Sequence, residues 1–72
     1  MKRWNAREVG CGQLAVELRR RMDGLAPGER LEVEVGDAGA AADVAAWCRM
    51  TGHVLVSETP PRLVLVRREA TG

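Results

Sequence analysis

The chain has 72 residues, 46% of them hydrophobic, and its 11 basic and 10 acidic side chains leave a formal charge of +1. A chain this short buries only about 60% of the surface its unfolded form exposes, so residues 1–72 are read as one domain without a deep enclosed active site. The charge balance gives no general case for nucleic acid, and with Trp4 and Trp47 as the only aromatics a base-stacking platform is poorly supplied.

Lys2 to Glu8 reads as a short first strand, with Trp4 and Ala6, two apart, turned to a core. Val9 to Gly12 is a loop with glycines on both sides of Cys11, which permits close backbone approach. The first helix is placed over Gln13 to Leu25, where Leu14, Leu18, Met22 and Leu25 form one apolar stripe. Arg19, Arg20 and Arg21 crowd its later turns, where cations suit the negative end of the helix dipole. Ala26-Pro27-Gly28-Glu29 stops the helix and turns the chain.

Leu31-Glu32-Val33-Glu34-Val35 alternates apolar and charged, the pattern of a strand with one buried face. Asp37 is placed as the N-cap of a second, Ala-rich helix over Ala38 to Met50, with Val44, Trp47 and Cys48 on its inner face and Gly52 after its end. His53 to Ser57 is a third strand, Thr59-Pro60-Pro61-Arg62 a turn, and Leu63 to Val66 a fourth strand. The unbroken apolar run of that last strand implies burial on both faces or a partner's cover, and it offers an edge through which two copies would dimerise. Arg67 to Gly72 reads as a frayed tail.

The order β-α-β-α-β-β implies an α+β fold: a two-layer α/β sandwich with two helices packed on one face of a four-stranded sheet. The last two strands form an antiparallel hairpin, and strands joined through helices are candidates for parallel pairing, so the sheet is mixed. No apolar run follows Met1-Lys2-Arg3 or nears the ~18 residues of a membrane span, so no membrane association is expected. Two cysteines are too few for a disulfide framework and lack the close spacing of a zinc or dithiol pair. The protein is therefore placed in the cytoplasm, with reduced thiols and neither metal nor cofactor.

The two thiols read differently. Cys11 sits at or just before a helix N-terminus, where unpaired N–H groups and the dipole favour a thiolate over a thiol. On spacing alone, the same cysteine is also compatible with a small, inert core residue. Cys48, mid-helix beside Val44 and Trp47, reads as a buried core thiol, and His53 as a structural residue at a helix end.

Asn5-Ala6-Arg7-Glu8-Val9-Gly10-Cys11 resembles the opening segment of the TusA/SirA-like sulfur carriers, roughly Asp-x-Arg-Gly-Leu-x-Cys-Pro-x-Pro. Arg7 and Cys11 match it, while Asn5 stands for Asp and Glu8 for Gly. Pro27-Gly28-Glu29, Asp37 with Asp43, Trp47-Cys48 and Gly52-His53 follow further family segments in order, so the resemblance runs from about Asn5 to Val66. Cys11-Gly12-Gln13-Leu14 lacks both prolines of Cys-Pro-x-Pro and is closer to a Cys-Gly variant of the family.

The resemblance implies that Cys11 accepts sulfane sulfur as a persulfide from a donor protein, a cysteine desulfurase or a rhodanese, and passes it to an acceptor protein. The end uses would be tRNA thiolation, sulfur oxidation or cofactor synthesis. Arg7, Gly10, Gly12 and Gln13 would support the cysteine loop, and Arg19, Arg20 and Arg21 would dock an acidic partner. The protein would be a relay rather than a stand-alone enzyme, without contact to nucleic acid, and a monomer or weak homodimer. The alternative, prompted by the lost prolines, is a non-catalytic regulatory or protein-interaction module on the same fold.

Overall fold

The structure, a computed structural model, describes residues 1–69. It has strands β1 (Lys2–Asn5), β2 (Arg30–Glu34), β3 (Val54–Thr59) and β4 (Arg62–Val66), with helices α1 (Cys11–Asp23) and α2 (Ala38–Thr51). The sheet order is β1-β2-β4-β3. β1 runs parallel to β2, whereas β4 is antiparallel to both β2 and β3, so the sheet is mixed as the element order implied.

Alternation along the strands decides the layers. Leu31, Val33 and Val35 of β2 and its exit are buried, as are Leu63 and Leu65 of β4, and they share one core with Leu14, Leu18 and Met22 of α1 and Val44 and Cys48 of α2. Both helices therefore cover the same sheet face, and the chain is the expected α+β two-layer sandwich. The opposite face carries Arg3, Glu32, Glu34, Arg62, Val64 and Val66, none of them fully buried.

α2 begins and ends as its sequence dictates. The Asp37 carboxylate accepts a 2.7 Å hydrogen bond from the Ala40 N–H, a side-chain N-cap. Gly52 closes the helix at φ 84°, with its N–H donating to the Cys48 carbonyl at 2.9 Å. That left-handed backbone is one glycine adopts without penalty.

Four expectations need correction. β4 is not an edge: it lies between β2 and β3 and offers no strand edge to a second copy, and its run is not buried on both faces, since Leu63 and Leu65 are in the core while Val64 and Val66 are only half-buried on the open face. β1 ends at Asn5, because the Asn5 side-chain oxygen accepts the Arg7 N–H at 3.0 Å and folds the backbone out of the strand. α1 starts at Cys11 rather than Gln13, because extended Gly10 already offers its carbonyl to the N–H groups of Gln13 and Leu14, at 2.9 and 3.0 Å, and it ends at Asp23 rather than Leu25, with Gly24 as its C-cap. β3 starts and ends later than His53 and Ser57, continuing to Thr59 past an irregularity between Leu55 and Ser57.

Of the tail read over 67–72, Arg67 donates its N–H to the Glu29 carbonyl at 3.0 Å, and its guanidinium binds the Asp23 and Leu25 carbonyls at the end of α1. Residues 70–72 lie outside the described residues.

Candidate functional site

The site is built on the connection from β1 to α1. Parallel pairing sets Asn5 against Glu34, and the next N–H, of Ala6, donates to the Glu34 carbonyl at 2.8 Å. Asn5 then turns the chain through its bond to the Arg7 N–H, and the Val9 N–H donates to the Ala6 carbonyl at 3.1 Å. Half-buried Val9 packs on the core and fixes the far side of the loop. Six residues after β1 ends, Cys11 opens α1 as its first helical residue.

That position sets the electrostatics. The first N–H groups of a helix have no carbonyl four residues back to meet, and they gather the positive end of the dipole. Gly10, as N-cap, contributes no side-chain hydrogen bond, and the first turn contains no acidic residue. The amides at the start of α1 are thus not taken up by a capping carboxylate, and this is where a sulfur anion gains stability.

The two glycines around Cys11 are exposed, and a Cβ added at either would meet nothing within 4 Å. Packing does not demand glycine at position 12. Leu14, the other place where the family has proline, is a different case. Its side chain is in the core, and its N–H donates to the Gly10 carbonyl, the first bond of α1 that spans four residues.

Arg7 lies in the loop with its guanidinium turned to β2, Nη1 to Glu34 Oε2 at 3.2 Å. Arg62 approaches the other oxygen of the same carboxylate at 3.9 Å. Beside this pair a shallow depression is lined by Asn5, Arg7, Glu8, Val9 and Gly36. Gln13 is exposed in the first turn.

Arg19, Arg20 and Arg21 are not part of this cluster. They sit at the far end of α1, roughly 12–15 Å along the axis from Cys11 at 1.5 Å per residue. Arg19 meets Asp23 at 4.0 Å and Arg20 meets Glu17 at 3.1 Å, while Arg21 lies over the Trp4 ring at 4.6 Å.

Cys48 is buried in α2, and burial pushes its thiol pKa up to about 11. His53 stacks on Trp47 at 5.2 Å between ring centres, and its Nδ1 accepts the Arg68 N–H at 3.1 Å. Burial and the neighbouring cations Arg68 and Arg67 lower its pKa. Neither residue belongs to the site. Among the described residues no group of three or more His, Cys, Asp or Glu is arranged to hold a metal, and no helix is long and apolar enough to cross a membrane.

Sequence reasoning missed the part that β2 plays. In the sequence Glu34 reads only as the wet face of a strand, and Gly36, with Asp37 after it, only as that strand's end. Asn5 reads only as a departure from the usual Asp, although an Asn at the end of a strand is itself a signal for a side-chain-capped turn.

Comparison with known proteins assigns the chain to a family. The family model described as Sulfurtransferase TusA matches residues 2–66. YrkI of Bacillus subtilis (strain 168), provisionally named a sulfur carrier protein, is 34% identical over 55 residues, which cover 76% of this chain and 73% of YrkI. YrkF of the same strain, also provisionally named a sulfur carrier protein, is 39% identical over 49 residues, 68% of this chain but only 26% of YrkF. The chain thus spans about a quarter of YrkF's length. Since the family match extends from the first strand through the last, the chain belongs to the TusA family of sulfurtransferases.

Proposed function

We propose that the protein carries sulfane sulfur as a persulfide on Cys11 and relays it between a donor and an acceptor protein. The observation that supports this best is the coincidence of two facts: the family match, and Cys11 as the first residue of a helix whose first turn has neither a capping side chain nor an acid. In the loading step the Cys11 thiolate attacks the terminal sulfur of the donor's persulfide. A new S–S bond forms at Cys11 as the donor's S–S bond breaks, and the donor leaves as a thiolate. The step is an exchange, so no outside oxidant or reductant is consumed, and no metal or cofactor enters it. Unloading is the same exchange in reverse, toward the acceptor's thiolate.

The donor is a cysteine desulfurase or a rhodanese, and the acceptor belongs to tRNA thiolation, sulfur oxidation or cofactor synthesis. The relay works in the cytoplasm, where thiols stay reduced, as a monomer or weak homodimer. Arg7, Gly10, Gly12 and Gln13 support the loop. Arg19, Arg20 and Arg21 contribute to docking an acidic donor or acceptor surface.

The test is intact mass after incubation with a cysteine desulfurase and free cysteine. The wild type and Cys48→Ala should gain about 32 Da, one sulfur atom, and Cys11→Ser should gain nothing. Alanine is the better replacement at Cys48 because a serine would bury a hydroxyl there. No adduct on Cys11 with either class of donor would reject the proposal in favour of a non-catalytic interaction module.

A further inference from the structure

The segment leading to Cys11 is fastened to the end of β2 at successive points. Ala6 N–H reaches the Glu34 carbonyl at 2.8 Å, and the Arg7 guanidinium reaches the Glu34 carboxylate at 3.2 Å. Past Val35 the chain turns at Gly36, and there the Arg7 backbone lies directly on it. A Cβ at Gly36 would stand 2.7 Å from the Arg7 carbonyl oxygen, 3.5 Å from its carbon and 3.6 Å from Arg7 Cα. The obstacle is backbone, which has no alternative rotamer with which to give way. Gly36 is not among the glycines with positive φ, so glycine stands here for space and not for backbone conformation. Only three residues lie between Arg7 and Cys11, and Val9, hydrogen-bonded back to Ala6 and packed on the core, leaves little slack among them.

We infer that Gly36, together with the Glu34–Arg7 pair, is a positioning device for Cys11. By admitting the Arg7 backbone into contact, it fixes where the first turn of α1 stands relative to the rest of the fold. The inference rests on the reading of Cys11 as the sulfur-carrying thiol. Transfer between two proteins needs the attacking sulfur in line with the S–S bond that breaks, and a misplacement of about 1 Å can cost about a hundredfold in rate.

The experiment places Gly36→Ala in a Cys48→Ala background, so that Cys11 is the single thiol. Two quantities are read: the rate of Cys11 alkylation by iodoacetamide against pH, and the initial rate of sulfur loading from a cysteine desulfurase supplied with cysteine. The expected result is loading slowed about ten- to a hundredfold, with the alkylation profile displaced to higher pH. Leu65→Ala, a core deletion away from the loop, controls for stability alone and should leave that profile in place. Wild-type loading and an unmoved profile in Gly36→Ala would overturn the inference, as would an equal displacement in Leu65→Ala.

If Gly36→Ala does not fold, Arg7→Gln and Glu34→Gln carry the test. They release the clamp without crowding and should slow loading about two- to fivefold, as befits a partly exposed pair. Unchanged profiles and rates in both would overturn it equally. If the parent chain takes up no sulfur, the carrier reading fails, and the alkylation profiles still decide the positioning of Cys11.

Discussion

Asn5 stands where the family has an acid, and the structure supplies the physical reason the exchange is tolerated. What the position does is accept the Arg7 N–H at 3.0 Å, and an amide oxygen accepts as a carboxylate does. The neighbouring arginine, legible as a family match, spends its charge on Glu34, a pairing no sequence pattern announces because the two stand 27 positions apart. The two cysteines also part company at this scale. Cys48, with its pKa raised from 9.0 to about 11, should resist iodoacetamide at about pH 8 while the protein is folded, and react once guanidinium unfolds it; rapid modification of the folded chain would contradict its burial. His53 brings a pH dependence of determinable sign. Its folded pKa lies below the ordinary 6.5, so the unfolded chain binds the proton more readily. Its contribution leaves stability full above about 6.5 and lowers it as pH falls from there through the folded value. Urea midpoints measured between about pH 5 and about pH 8 should show that decline, and His53→Gln should flatten it; an identical decline in the variant would assign it to other groups.

At the scale of elements, the start of α1 explains what the missing prolines mean. Gly12 lies in the first turn, where its N–H has no carbonyl within the helix, and a side chain there meets open space. Proline is compatible with such a position, so Gly12→Pro should fold and gain about 0.4–1 kcal/mol by restricting the unfolded chain. Leu14→Pro should do the opposite. It removes the 3.0 Å bond to Gly10 and a core side chain that is 3% exposed, at a cost of about 3 kcal/mol or more. Thermal melts of the two variants check both signs, and a stable Leu14→Pro would contradict the helix start at Cys11. The periodicity of α1 was readable from its leucines, but its first residue was not. Glycine is a poor helix former, and only the extended Gly10 carbonyl, shared by two N–H groups, shows that the helix already contains Cys11.

At the scale of the whole molecule, β2 organises the fold. It pairs with β1 on one side and β4 on the other, carries core leucine and valine on one face, and on the other holds Arg3, Arg7 and Arg62 through Glu32 and Glu34. Its alternation made both faces legible in advance, as it did the two layers. The sheet order was not legible. Whether β4 closes beside β2 or lies outside β3 depends on which slot the β3–β4 hairpin takes, and an apolar run reads alike in either place. The Gly36 contact was hidden for the same reason, since it joins backbones 29 positions apart that only the tertiary fold brings together. What this frame is proposed to serve is a single exchangeable sulfur at Cys11. The most direct measurement is time-resolved intact mass on the Cys48→Ala chain, first with a cysteine desulfurase and cysteine, then after the donor is removed and excess small thiol is added. The predicted course is a gain of about 32 Da located to Cys11 by peptide mapping, followed by its loss as the thiol takes the sulfur. A chain that never gains the sulfur, or that gains it equally as Cys11→Ser, would contradict a persulfide carrier at the start of α1.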